Sequence, residues 1–208
     1  RTEVIPAYRG MITDRNGEPL AVSTPVVTLW VNPKVLGQDM GSWQEIASVM
    51  EWSPSELQQK MAQYGNKEFM YLKRHLSPAE ADLILEKKID GVNGLREYKR
   101  FYPAGEVVAH LVGFTNIDDI GQEGIELAFE SDLKGKLGVK RVLKDLKGRM
   151  VKDLGLVKPE QNGMDIALSI DLRVQYFAHT ILKDIVTQFE ALGGSAVVMD
   201  TVSGEVLA

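Results

Sequence analysis

At 208 residues, with 44% hydrophobic and 25% charged residues, the chain has enough apolar mass for one or two ordinary cores, and its composition argues against disorder. A net charge of −5 speaks against a general nucleic-acid surface, which needs a basic excess to displace phosphate counterions. Cysteine is absent, which excludes disulfides and thiolate metal sites, and no apolar run reaches the length of a membrane span or a signal-peptide core.

Residues 8–31 read as extended segments, YRGMI, PLAVS and VVTLWV, with a DRNG reversal whose Asn16 and Gly17 tolerate positive φ. Arg9, Asp14 and Arg15 bring more charge than a hairpin needs, although turn chemistry with solvated charges accounts for them equally well. Residues 41–103 form a helix and strand module. Ser53, Pro54, Ser55 and Glu56 make a capping box, as do Ser77, Pro78, Ala79 and Glu80. The helices they start carry Leu57, Met61 and Tyr64, then Leu83 and Ile84, and end at Gly65 and Gly91. FMYLKRHL and LREYKRFY read as strands, and the charges at 73–75 and 99–100 read as a solvated face.

Residues 100–126, RFYPAGEVVAHLVGFTNIDDIGQEGIE, are the densest in special residues and mark either a reactive site or a structural crossroads. Pro103 ends the preceding strand. Residues 105–111 make a short helix closed by Gly113, and Gly121 and Gly124 lead into another in which Ile125, Phe129 and Leu133 share a face until Gly135. Residues 139–157 read as a hairpin reversing at 146–148. The polar run KPEQNG at 158–163 marks a domain boundary, dividing the chain into 1–160 and 161–208. Beyond it lie a strand at 164–170, a helix at 171–192 and a hairpin at 195–208, too little mass for a separate core.

Two chemical readings compete with a structural one. Ser131, Asp132, Leu133 and Lys134 spell S-x-x-K, but chance supplies about one such match in a chain of this composition, and neither S-x-N nor K-T-G is present. His110 with Asp118, Asp119 and Glu126 can be drawn as a base or metal constellation. Yet His75, His110 and His179 lack paired ligand spacing, and His110 beside Val107, Val108 and Leu111 reads as a satisfied structural residue. No catalytic residue, metal ligand or cofactor site is assigned. The stripe Val174, Phe177, Ile181, Ile185 and Phe189 reads as a core face that a fragment lacking its packing mates would expose, inviting a swapped dimer or aggregation.

Four motifs in one order, RG with DRNGxxLA at 9–21, RFYPAG at 100–105, GQEGIE at 121–126 and DLKG at 145–148, resemble the signature set of class B penicillin-binding proteins. LSIDLRVQ at 168–175 and SAVVMDTVSGEVLA at 195–208 are similar to the first strand, first helix and central-sheet hairpin of their transpeptidase domain. The whole chain shares the resemblance, which is strongest to the division-specific branch of Gram-negative bacteria. It implies an α+β fold: an elongated N-terminal pedestal, of the type called a dimerisation domain, made of β-hairpins and short helices and followed by a truncated transpeptidase start.

The resemblance further implies a bitopic inner-membrane protein with its single span upstream of Arg1 and its bulk in the periplasm. Its reactive serine, which β-lactams would also acylate, would follow the GEVLA segment, and it would cross-link peptidoglycan stem peptides at the septum. Divisome partners, including the septal glycosyltransferase, are implied, and no nucleic acid. The chain starts without methionine and stops inside an apolar run, so it reads as a piece of such a protein and is expected to be inert alone. An elongation-type relative, a β-lactam sensor and a small self-contained hydrolase remain alternatives. Arg9, Gly10, Asp14, Arg15, Gly17, Arg100, Tyr102, Pro103, Gly105, His110, Gly121, Gly124, Glu126, Asp145 and Gly148 are assigned to a structural junction, in which Glu126 is expected to form a partly buried ion pair with Arg9 or Arg100.

Overall fold

The structure, a computed structural model, describes residues 2–37, 39–144 and 150–208. Its strands are β1 (Thr2–Ile5), β2 (Ile12–Thr13), β3 (Pro19–Val31), β4 (Met70–Leu76), β5 (Val92–Phe101), β6 (Gly138–Lys144), β7 (Met150–Lys158) and β8 (Ile166–Ala167). The helices are α1 (Pro33–Leu36), α2 (Met40–Val49), α3 (Pro54–Tyr64), α4 (Pro78–Leu85), α5 (Ala109–Val112), α6 (Gly124–Ala128), α7 (Glu130–Leu133) and α8 (Leu172–Gln188), with a 3-10 turn at Gly105–Val108. This mixed α+β chain divides into two compact units built from discontinuous segments. The first comprises Arg1–Pro6, Pro25–Lys99 and Leu137–Glu160, the second Ala7–Thr24, Arg100–Lys136 and Gln161–Ala208.

In the first unit, the later part of β3 pairs antiparallel with β4, placing Val27 opposite Leu76 and Val31 opposite Met70. Alternation along β3 turns Val27, Leu29 and Val31 inward. Val31 meets Trp43 and Ile46 of α2 and Leu57 of α3, while Val27 and Leu29 meet Leu76 and Ala81. Full burial of each large apolar side chain here contributes roughly 1.5–3 kcal/mol. Both capping boxes form: the Glu56 amide donates to Ser53 Oγ at 3.3 Å and the Ser53 amide to Glu56 at 2.8 Å, and Ser77 with Glu80 repeats the exchange. On α4 Ala81 is fully buried, with Ile84 and Leu85 packed against the same cluster, while Leu83 is exposed. β1, β6 and β7 form a separate antiparallel sheet. The expected reversal at 146–148, with Asp145 and Gly148, lies outside the described residues.

In the second unit, β2 lies between β3, with Ile12 opposite Ala21, and β8, with Ile12 opposite Ile166 in parallel. Its core joins Ile12, Leu20, Ala21, Val108, Val112 and Leu133. Three expectations change here. The helix anticipated through Ile125, Phe129 and Leu133 is broken at Phe129 into α6 and α7, leaving Phe129 exposed. The cause is local: the Glu126 carbonyl, which a continuous helix would use one turn on, accepts Arg9 Nη2 at 2.7 Å. The strand at 164–170 shortens to β8, and the long helix ends at Gln188 rather than 192. The terminal hairpin closes through a bridge between Met199 and Val206 and through the Leu207 amide, which donates to the Val198 carbonyl at 2.7 Å.

Replacing Ser53 or Ser77 by alanine is expected to lower unfolding free energy by about 1 kcal/mol each in urea titrations, since each removes one acceptor from a helix start. Unchanged midpoints would show that the boxes do not contribute.

Candidate functional site

The second unit contains a buried polar centre around Glu126, at the N-terminal end of α6. Glu126 is completely buried, and its carboxylate is divided between two arginines: Arg9 Nε donates to Oε2 and Arg100 Nε to Oε1, each at 2.6 Å. Arg9 Nη2 also donates to the Glu126 carbonyl, and Arg9 Nη1 pairs with Glu130 Oε2 at 2.6 Å. Arg100 Nη1 reaches the Arg9 carbonyl at 3.4 Å and Ser23 Oγ at 3.2 Å, and Ser23 Oγ donates to the same carbonyl at 3.0 Å. Glu126 thus engages both candidate arginines and is fully rather than partly buried. Burial alone would lower the pKa of Arg9, but the hydrogen bonds and charges of Glu126 and Glu130 raise it above its usual value.

Two guanidinium groups balance Glu126 and Glu130, which leaves a third carboxyl, Asp119, without a cation of its own. Its backbone carbonyl accepts Arg9 Nη1 at 3.4 Å, while Oδ1 is buried without a hydrogen bond among the described residues. Burial pushes the Asp119 carboxyl up to about 6, helped by Glu126 and Glu130 and opposed by Arg9 and Arg100.

The glycines let backbone segments close around this centre. A Cβ on Gly10 would lie 1.8 Å from the Met164 carbonyl oxygen, so any larger residue would push apart the segment that carries Arg9. Gly124 has φ 59° and a Cβ there would stand 2.5 Å from the Leu111 carbonyl oxygen, which restricts the start of α6 to glycine. The Gly121 amide donates to Glu130 Oε2 at 2.9 Å, and Tyr102 OH accepts the Thr115 amide at 3.0 Å, with burial raising the tyrosine pKa. Pro103 and Gly105 are exposed in the turn that follows Tyr102. His110 is exposed on α5, outside the buried centre to whose junction the sequence assigned it.

A second polar assembly surrounds the DRNG turn. Asp14 is 1% exposed. Its Oδ1 accepts the Asn16 and Glu18 amides at 2.7 and 2.9 Å, closing the turn in which Gly17 has φ 86°. Its Oδ2 accepts the Leu172 amide at 3.0 Å, at the first turn of α8. Burial works to raise the Asp14 pKa, but the Leu172, Glu18 and Asn16 amides outweigh it and hold the carboxyl below its ordinary range. Asn16 Nδ2 donates to Asp171 at 3.2 Å, the Arg15 amide to the Ile170 carbonyl at 2.9 Å, and Arg15 Nη2 to Glu205 at 3.2 Å. The Arg173 side chain holds Asp171 far below the usual carboxylate range. Beside this assembly lies a groove of about 800 Å³ lined among others by Glu18, Val107, Arg173, Tyr176 and Phe177, without serine, threonine, lysine or histidine in its lining.

Ser131 is exposed and its hydroxyl donates to Asp132 at 3.4 Å, whereas Lys134 Nζ faces Glu130 at 3.8 Å. Serine and lysine are therefore engaged with different carboxylates. Among the described residues, no group of His, Asp and Glu is placed to hold a metal ion, and no helix is long and apolar enough to cross a membrane. Sequence reasoning missed Glu130, Ser23 and Asp171. Glu130 stands four residues after Glu126, a spacing that puts both on one helical side; nothing local marks Ser23; and Asp171 precedes an apolar-periodic helix as an N-cap should.

Residues 4–168 match the model for the penicillin-binding protein dimerisation domain, and the chain belongs to this family. It is 44% identical over 204 residues to the probable peptidoglycan D,D-transpeptidase PbpC of Pseudomonas aeruginosa, covering 98% of this chain and 36% of that protein. It is 39% identical over 213 residues to the peptidoglycan D,D-transpeptidase FtsI of Escherichia coli K12, covering 100% and 36%. The chain thus spans about a third of the length of these curated relatives. A solved complex of penicillin-binding protein 2 and MreC from Helicobacter pylori shares the fold at TM-score 0.69 and 23% identity, covering 100% of this chain and 42% of that one.

Glu126→Ala, which leaves the buried Arg100 guanidinium without its carboxylate and Arg9 with Glu130 alone, is expected to cost about 3–5 kcal/mol in chemical denaturation. Cycles pairing it with Arg9→Ala and Arg100→Ala should show coupling above about 1 kcal/mol, and additive costs would count against the centre as a unit. For Asp119 the native state favours the protonated form. Its stabilising contribution is complete below the unfolded value near 4 and lost as pH rises through about 6. Asp119→Asn should therefore match the parent at pH 4 and exceed it by on the order of 2 kcal/mol at pH 8, read from urea melts at both values.

Proposed function

We propose that this chain is the noncatalytic pedestal and the opening of the transpeptidase domain of a division-specific class B penicillin-binding protein. Residues 1–160 form the pedestal and 161–208 the first strand, helix and hairpin of the catalytic domain. In the complete protein a serine attacks the terminal D-Ala-D-Ala of a stem peptide, D-alanine leaves, and the acyl group passes to an amine on a neighbouring strand. β-Lactams acylate the same serine. A single span upstream of residue 1 holds the protein at the periplasmic face of the inner membrane, where the pedestal offers surface to divisome partners, including the septal glycosyltransferase.

The observation that carries this reading is the convergence of three motif segments on one fully buried carboxylate whose oxygens are both occupied by arginine. With both Glu126 oxygens held by arginine and the carboxylate fully buried, the centre suits a joint rather than a reaction site. Two further features support it. Both curated relatives are named D,D-transpeptidases and are nearly three times as long as this chain. On α8, the residues Phe177, Ile181, Ile185 and Phe189, one helical face at spacing four, are all exposed, as expected of a surface that the rest of a catalytic domain covers.

Fluorescent penicillin tests the proposal. The complete protein should be labelled and the 208-residue chain should not. A band on the short chain that disappears in Ser131→Ala would favour a self-contained hydrolase instead.

A further inference from the structure

We infer that Asp14 is a positioning residue for acyl transfer in the complete protein: its carboxylate fastens the DRNG turn to the first helix of the catalytic domain and fixes how that domain begins. This rests on the reading of residues 161–208 as the opening of that domain.

The carboxylate of Asp14 serves the turn and the helix together. Oδ1 closes the turn through the Asn16 and Glu18 amides, and Oδ2 accepts both Asn16 Nδ2 within the turn at 3.2 Å and the Leu172 amide at 3.0 Å from 158 positions away in sequence. First-turn amides of a helix have no partner within the helix, and the positive end of the helix dipole favours a carboxylate there. α8 already has its own cap, since Asp171 accepts the Arg173 amide at 3.0 Å. The second carboxylate therefore adds a fixed relation between turn and helix, beyond what helix formation requires.

The neighbours of Asp14 extend that relation. Asn16 donates to Asp171 beside the helix start, and the Arg15 amide donates to Ile170 in the segment leading into it. The Arg15 side chain reaches Glu205 in the terminal hairpin. The hairpin is tied back in turn, because the Asp171 amide donates to the Leu207 carbonyl at 2.9 Å and Ser169 Oγ to the Val206 carbonyl at 2.7 Å. Three consecutive residues of one turn thus hold the lead-in segment, the helix and the hairpin. A turn that only reversed the chain would need Asp14, Asn16 and Gly17 to bond among themselves and nothing more.

The test uses the complete protein with its membrane segment in detergent. Two quantities are measured with fluorescent penicillin: the titre of acylatable sites and the second-order rate constant of acylation. Asp14→Asn keeps the shape but turns an amide NH₂ toward donors. It should leave the titre at the parental level and lower the rate constant about five- to tenfold, as loss of a cap and a small displacement of reacting groups do. Asn16→Ala, which removes one of the ties, should lower it about twofold. A fall in titre and melting temperature with the rate constant unchanged would show a merely structural role and overturn the inference. If Asp14→Asn does not fold, Asn16→Ala decides, and a parental rate constant in that variant overturns it equally. Failure of the parent to be acylated would instead sink the underlying functional reading.

Discussion

Glu126 is the charge on which the second unit depends. A carboxylate removed entirely from water is costly, and its stability here comes from two arginine Nε donors at 2.6 Å, one on each oxygen. Those arginines lie 91 positions apart in sequence, so one side chain holds together segments that the chain visits at different times. The consequences spread outward. Gly10 must be glycine for the segment carrying Arg9 to lie against Met164, and Gly124 must be glycine for the helix carrying Glu126 to start beneath Leu111. The helix breaks at Phe129 because the Glu126 carbonyl has been recruited by Arg9.

The DRNG turn shows the same economy on a smaller scale. Turn chemistry would satisfy Asp14 with local amides alone, but the second oxygen reaches the N-terminus of α8. Charge and helix dipole make that contact favourable, and burial makes it directional. Beyond the turn, α8 leaves Phe177, Ile181 and Ile185 exposed at a spacing of four, so the unit is polar where its own segments meet and apolar along this helix.

Much of this was legible in the sequence, and the reasons differ by element. The two capping boxes were clear because each is a four-residue interaction between nearest neighbours. The strands β4 and β5 were clear from composition and length. Glu126 with Arg9 or Arg100 was foreseeable because charge beside glycine in separate motifs signals a tight polar contact. Ser23 was not, since it is an unremarkable strand serine, and Asp119 was marked only beside His110, Asp118 and Glu126 as part of a base or metal constellation, since a loop aspartate does not announce its burial. The sequence did not say which face of the short helix at 78–85 meets the sheet; the structure buries Ala81 and exposes Leu83.

By itself the sequence determined what nearest-neighbour physics determines: where helices start, where proline and glycine turn the chain, which strands alternate, and that no cysteine chemistry operates. Tertiary structure alone decided that one carboxylate would serve two arginines, that His110 would face solvent, and that Asp14 would cap a helix 158 residues later. These are contacts between residues far apart along the chain. Their energy depends on burial and on distances of 2.6–3.0 Å that no local pattern encodes.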